Sequence, residues 1–191
     1  MKKLIIIILL FNCFVFYSQD ELPYYEIPDY PESYTTGNVL SRMIDGLGFR
    51  FYWASEGLKE KDLNYRASKD SRSSIEIIEH IHVLSKIILN SVQGKPNISQ
   101  SESKLNFENL RKKTLENFEI SSQILKKTKD LSKFKIVFEN QGMRNEFPFW
   151  NQINGPIEDA VWHSGQLVML RRASGNPFNS KASVFTGKVE K

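Results

Sequence analysis

Asp159 and His163 have the residue types and the spacing needed to hold a metal ion. Residues four apart on a helix lie on one face, so this carboxylate and imidazole could bind one ion together. The segment around them is apolar almost all round, which predicts a buried helix. Its apolar residues are Ile157, Val161, Trp162, Leu167, Val168, Met169 and Leu170. Because burying polar groups without partners is costly, the pair needs a third member.

His80 is the candidate third ligand, from an earlier helix. It lies near the centre of an apolar stripe made by Ile77, Ile81, Leu84 and Ile88. His82 points nearly the opposite way and is expected at the surface or at the boundary of the core. Two histidines and one carboxylate form a three-ligand site with open positions. Such a site suits a divalent ion such as Zn, Ni or Fe(II) and can activate water.

Glu76 and Gln166 each lie close to a candidate ligand in sequence, and each could orient that ligand from outside the coordination shell. Glu76 has an alternative role, because with Ser73 it forms a capping box at the start of its helix. The pair on the last helix also has an interpretation without chemistry. The acid would then lie in the first turn, where the helix dipole favours it, and the histidine would be a core residue bonded to a neighbour.

The sequence lacks the other common signatures of enzymes. It contains no glycine-rich phosphate loop, no G-x-S-x-G motif and no H-E-x-x-H motif. Cys13 is the only cysteine and lies in the leader, so the mature chain has no disulfide and no thiol nucleophile. The formal net charge of +4 includes Lys2 and Lys3, and the basic residues form no stripe that would follow a phosphate backbone. We therefore expect no nucleic-acid partner.

Four helices are predicted to position the candidate ligands. They run from Thr36 to about Glu56, from Ser73 to about Val92, from Asn106 to about Lys129 and from Pro156 to Arg172. Pro156 is expected at the first position of the last helix, and Gly175 follows its end. Arg171 and Arg172 are expected to face the negative end of the helix dipole. Alternating apolar residues and an Asn-Gln-Gly turn within 132–154 predict a short extended excursion.

The chain divides into four parts. They are a leader at 1–18, an extended arm at 19–36, a helical domain at 37–178 and a loose tail at 179–191. The leader has the basic start, apolar run and small final residue of a secretory signal, and its apolar run falls short of the roughly 20 residues that span a membrane. We therefore expect a periplasmic or secreted protein with no stable membrane insertion after cleavage. The tyrosines of the arm are expected to pack against the body.

Three stretches of the sequence resemble the DinB-like helical-bundle family, particularly exported members from Bacteroidetes-type bacteria. They are GLGFRFYWASEGL at 46–58, SIEIIEHIHVLS at 74–85 and DAVWHSGQLVMLRRASGNP at 159–177. The resemblance implies an all-α four-helix bundle with up-down-down-up topology and one divalent metal. His80 and His163 match two of the ligands that the family pattern implies. Asp159 occupies a place where many members have histidine.

Three functions follow as hypotheses. The family includes thiol-dependent S-transferases and proteins described as metal-dependent hydrolases, so the first is an exported metal-dependent hydrolase acting on a small molecule. The second is a non-catalytic bundle that binds a ligand and has a structural or vestigial metal site. The third is thiol S-transfer, which export disfavours because small thiol cosubstrates are mainly cytoplasmic. The substrate, the metal and the oligomeric state, a homodimer included, stay open.

Overall fold

A computed structural model of the protein describes residues 22–98 and 103–190. The predicted leader, the signal cleavage site and Cys13 lie outside this part of the chain. The described part is mostly helical. Its helices are α1 (Thr36–Ser55), α2 (Glu60–Leu63), α3 (Ser74–Gln93), α4 (Phe107–Lys126), α5 (Trp150–Gln152) and α6 (Glu158–Ala173). Its strands are β1 (Asn97–Ile98), β2 (Lys135–Asn140), β3 (Met143–Pro148), β4 (Ala182–Ser183) and β5 (Lys188–Val189).

The first three predicted helices are confirmed, and side-chain caps set where they begin. Thr35 caps α1, directly before the predicted start at Thr36, by accepting a hydrogen bond from the amide of Asn38. Ser73 and Glu76 form the predicted capping box at the start of α3. Asn106 caps α4, which ends at Lys126, short of the predicted end near Lys129.

Helix α6 differs from its prediction in where it begins and in how much of it is buried. A π-helical turn, Ile153–Ile157, precedes it, so Pro156 lies inside that turn and not at the first α-helical position. The helix is also not buried all round, since Trp162 is 71% exposed and Met169 is 62% exposed. The reason is that α1 and α3 cover one side of α6 and leave the other side in solvent.

Helix α3 packs against α4 on one side and α6 on the other. On the α4 side, His82 contacts Thr114. Three residues further along both helices, Ser85 accepts a hydrogen bond from Asn117. The two helices therefore run in the same direction. The other side of α3 presents His80 to α6.

Helix α1 packs between α4 and α6, and two buried arginines hold its C-terminal end. Arg111, near the start of α4, donates a hydrogen bond to Oγ of Ser55, so α1 and α4 run in opposite directions. Arg171, near the end of α6, donates to the carbonyls of Trp53 and Ala54, so α1 and α6 run in the same direction. Arg171 was expected to face the dipole of its own helix, but it caps the end of α1.

Two small sheets modify the all-α expectation. The predicted extended excursion is a hairpin of β2 and β3, joined by Gln141 and Gly142, and β1 pairs in parallel with β2. Both turn residues have positive φ, at 46° and 83°, which is the geometry of a type I′ turn. The second sheet pairs β4 with β5.

The tail and the arm make specific contacts with each other and with α1. The tail, which the sequence predicts to be loose, carries β4 and β5, and its Gly187 carbonyl accepts a hydrogen bond from the amide of Ile27 in the arm. Tyr24 of the arm is buried, as predicted, and a Cβ at Gly48 would clash with its ring. Tyr34 is exposed and does not pack as predicted, whereas Tyr30, although exposed, has the guanidinium of Arg42 4.7 Å from the centre of its ring.

None of the helices in residues 22–98 and 103–190 is long and apolar enough to cross a membrane.

Candidate metal centre

The three candidate ligands predicted from the sequence lie together between α3 and α6. Nε2 of His80 is 3.1 Å from Oδ2 of Asp159, and Nε2 of His163 is 3.4 Å from Oδ1 of the same carboxylate. The two imidazole rings meet edge to face, with their centroids 4.6 Å apart. One ligand atom from each residue lies within 4.8 Å of the other two. The carboxylate of Asp159 therefore bridges the two rings.

The contacts of His163 with Gln166 and Arg72 favour one tautomer of its ring. Nδ1 lies 2.8 Å from Oε1 of Gln166, an acceptor, so the tautomer with its proton on Nδ1 satisfies this contact. In that tautomer Nε2 has the lone pair of the ring, and it lies 3.4 Å from Oδ1 of Asp159. Arg72, which can only donate, lies 3.5 Å from this Nε2, so a proton on that nitrogen would face another donor. Two acceptors thus face each other, which is the arrangement that a cation between them would satisfy.

The three ligand atoms fit a divalent ion in chemistry and in spacing. Two imidazole nitrogens and one carboxylate oxygen are the donors that Zn, Ni and Fe(II) accept in proteins. Ligands of one tetrahedral ion with bonds of about 2.1 Å lie about 3.4 Å apart. Each imidazole lies at about that distance from a different oxygen of Asp159, 3.1 Å from Oδ2 for His80 and 3.4 Å from Oδ1 for His163, and one ligand atom from each residue lies within 4.8 Å of the others.

The two residues predicted to support the ligands lie in different environments. Gln166 accepts a hydrogen bond from Nδ1 of His163, which is the contact that would orient this ring toward an ion. Glu76 accepts hydrogen bonds from the amide and the hydroxyl of Ser73 and forms an ion pair with Arg66. The hydrogen bonds from the amide and then the hydroxyl of Ser73 lower the pKa of Glu76. The carboxylate of Glu76 is therefore engaged in the capping box.

Sequence reasoning missed Arg72 and the groove beside the three ligands. The groove has a volume of about 720 Å³ and runs along α6, with His163, Gln166 and Arg72 among its lining residues. Arg72 comes just before the capping box of α3, and its position there gave no signal of a site. Only the packing of α3 on α6 brings its guanidinium to His163.

The prediction for His82 is wrong. This residue is 7% exposed, and its Nδ1 lies 3.0 Å from Oγ1 of Thr114. Since the hydroxyl of Thr114 donates to the carbonyl of Leu110, Nδ1 of His82 is the donor in this contact. The physical reason is that α4 covers the side of α3 opposite to His80, so both sides of this helix are interior.

No family model, curated protein or solved structure matches the chain.

Proposed function

We propose that this protein binds one divalent metal ion through His80, Asp159 and His163 and is a metal-dependent hydrolase of a small molecule. We further propose that it is an exported DinB-like protein whose four long helices form an up-down-down-up bundle. The helix directions given above support this topology, and the three quoted sequence stretches support the family.

One observation carries the metal proposal: the carboxylate of Asp159 lies between two imidazoles, with Oδ1 3.4 Å from Nε2 of His163 and Oδ2 3.1 Å from Nε2 of His80. A divalent ion would satisfy all three groups at once. The donor set supports Zn, Ni or Fe(II). When bound, such an ion supplies Lewis acidity that activates water or a substrate oxygen.

The number of ligands supports a catalytic site over a structural one. Structural metal sites usually have a complete shell of protein ligands, whereas catalytic sites keep a position open. Among the described residues, the group that could hold an ion consists of three side chains, all partly exposed. His163 also lines the groove, so a substrate in the groove would reach the site.

One observation favours the second candidate, a ligand-binding bundle with a vestigial metal site. The guanidinium of Arg72 lies within 3.5 Å of Nε2 of His163, where it occupies the lone pair that an ion would use. If this contact persists in solution, the groove can bind a ligand without a metal. The two candidates differ in whether the protein binds an ion at all.

Metal affinity of matched variants tests the proposal. Asp159→Asn keeps the shape of the side chain and removes its charge, and Glu158→Gln makes the same change at an exposed neighbour. Replacing a residue that supports a ligand costs about 10–100-fold in metal affinity, so we expect that loss for Gln166→Leu and a loss of more than about 100-fold for Asp159→Asn. Glu158→Gln should bind zinc as the wild type does.

Competition with a chromogenic chelator measures these affinities, and circular dichroism checks that each variant is folded. Equal zinc affinity of the wild type and Asp159→Asn would refute the site. Zinc binding without hydrolysis of any ester, amide or phosphoester in a broad panel would favour the ligand-binding candidate.

A further inference from the structure

The guanidinium of Arg72 lies beside the candidate metal centre, and no carboxylate of the described residues pairs with it. Within residues 22–98 and 103–190, its nearest polar contact is Nε2 of His163, at 3.5 Å. Three arginines in this part of the chain form ion pairs with carboxylates, namely Arg66, Arg111 and Arg144, and three others donate to backbone carbonyls, namely Arg42, Arg50 and Arg171. A guanidinium offers paired N–H donors in a plane, which match the two oxygens of a carboxylate.

The groove next to Arg72 is apolar in most of its lining. Ile77 and Leu170 form its floor, and both are buried. Trp162 and Met169 form its exposed wall on α6. Arg72 is the one charged residue among those that line the groove. The groove therefore offers an apolar surface with a single positive charge at the end nearest the metal ligands.

We infer that the groove binds a small organic carboxylate with an apolar body, and that Arg72 binds the carboxylate. The apolar body would lie against Trp162 and Met169. The atoms next to the carboxylate would then lie beside His163. One guanidinium and no other charge in the lining match a monoanion better than a phosphate dianion. This inference rests on the proposed function, because it names the substrate class of the same site.

The contact between Arg72 and His163 couples the two binding events. An ion bound to Nε2 of His163 takes the lone pair that the guanidinium uses in the structure, so metal binding releases Arg72 for the carboxylate. A bound carboxylate likewise draws Arg72 away from His163. Each ligand should therefore bind more tightly in the presence of the other.

Calorimetric titration with 4-phenylbutyrate tests the inference, with the neutral 4-phenylbutyramide and with phenyl phosphate as comparisons. The variants are Arg72→Gln and, as a matched control, Arg172→Gln, which changes an exposed arginine outside the groove. In the zinc-loaded protein we expect Arg72→Gln to weaken phenylbutyrate binding by between about tenfold and about a hundredfold. Arg172→Gln should leave it unchanged, and the amide should bind weakly to all three proteins.

Zinc affinity separates a carboxylate receptor from a residue that only positions His163. Removing a cation beside a metal ligand should leave zinc affinity equal or higher in Arg72→Gln, whereas loss of a positioning contact should lower it. Lower zinc affinity, no phenylbutyrate binding by the wild type, or tighter binding of phenyl phosphate than of phenylbutyrate would each overturn the inference.

Failure of the proposed function has a different outcome. If the wild type binds no zinc, the metal centre is refuted, and the same titration of the zinc-free protein still tests Arg72. A weaker phenylbutyrate affinity in Arg72→Gln than in Arg172→Gln would then support the carboxylate site alone. Equal affinities in the two variants would refute that site.

Discussion

Arg171→Met should destabilise the protein strongly although the residue lies in the last turn of a surface helix. Arg171 is 4% exposed, and its guanidinium donates to the carbonyls of Trp53, Ala54 and Glu56 at 2.6, 3.1 and 3.0 Å. These carbonyls are at the C-terminal end of α1, where no amide of the same helix can reach them. Burial lowers the pKa of Arg171 below its ordinary value, and the guanidinium stays charged at neutral pH.

The magnitude follows from the groups that would lose their donor. Trp53 and Ala54 are buried, and a buried polar group without a partner costs about 1–3 kcal/mol. Glu56 is partly exposed, so water can replace the donor to its carbonyl. Methionine restores some apolar contact and needs no desolvation of a charge, which offsets part of the loss. We expect the free energy of unfolding to fall by about 3 kcal/mol.

Urea unfolding followed by circular dichroism measures this change, with Arg172→Met as the matched control. Arg172 is exposed on the same helix, so its replacement should change the free energy of unfolding by less than about 0.5 kcal/mol. Zinc affinity should be equal in both variants, because residue 171 is about 12 Å along α6 from His163. A free energy of unfolding that is the same in the two variants would refute the role assigned to Arg171.

Two further predictions concern buried polar groups. His82→Ala should lower the free energy of unfolding by about 1–3 kcal/mol, because it removes the buried contact with Thr114, and should leave zinc affinity unchanged. Loss of zinc binding in a folded His82→Ala protein, shown by chelator competition, would contradict the site. Burial opposes ionisation of Asp62, but hydrogen bonds, among them one from Ser174, outweigh it and lower its pKa. Asp62 therefore stabilises the fold at neutral pH, and this contribution is lost as the pH falls below about 4. Urea unfolding should show that the wild type has a higher free energy of unfolding than Asp62→Asn at pH 7 and that this difference shrinks at pH 3. An equal difference at the two pH values would refute the role of Asp62.

Local sequence patterns predicted the helices and one turn of the hairpin. The capping box of Ser73 and Glu76 defines the start of α3, because both partners lie within one turn of helix. The Gln141–Gly142 turn is equally local, because two adjacent residues with positive φ join the two strands of the hairpin directly. Such features need no contact with distant residues, so the sequence is sufficient for them.

The approach of His80 to Asp159 and His163 was also predicted, on the basis of polarity and family resemblance. Asp159 and His163 are neighbours by helical spacing, and His80 stood out as a polar residue in an apolar stripe. The contact of His80 with Asp159 and the contact of Nδ1 of His163 with Gln166 became visible only in the folded structure.

Only the tertiary structure decided which helix faces are covered and which charges meet. Periodicity describes the faces of one helix, but it cannot say how many neighbours that helix has. Helix α3 has neighbours on two sides, so His82 is buried, while α6 has a free side, so Trp162 is exposed. Packing also decides the partners of Arg171 and Arg72. Packing against α1 makes Arg171 a buried cap, and packing of α3 on α6 brings Arg72 to His163. Both contacts join segments that are distant in sequence, so they depend on the assembled fold.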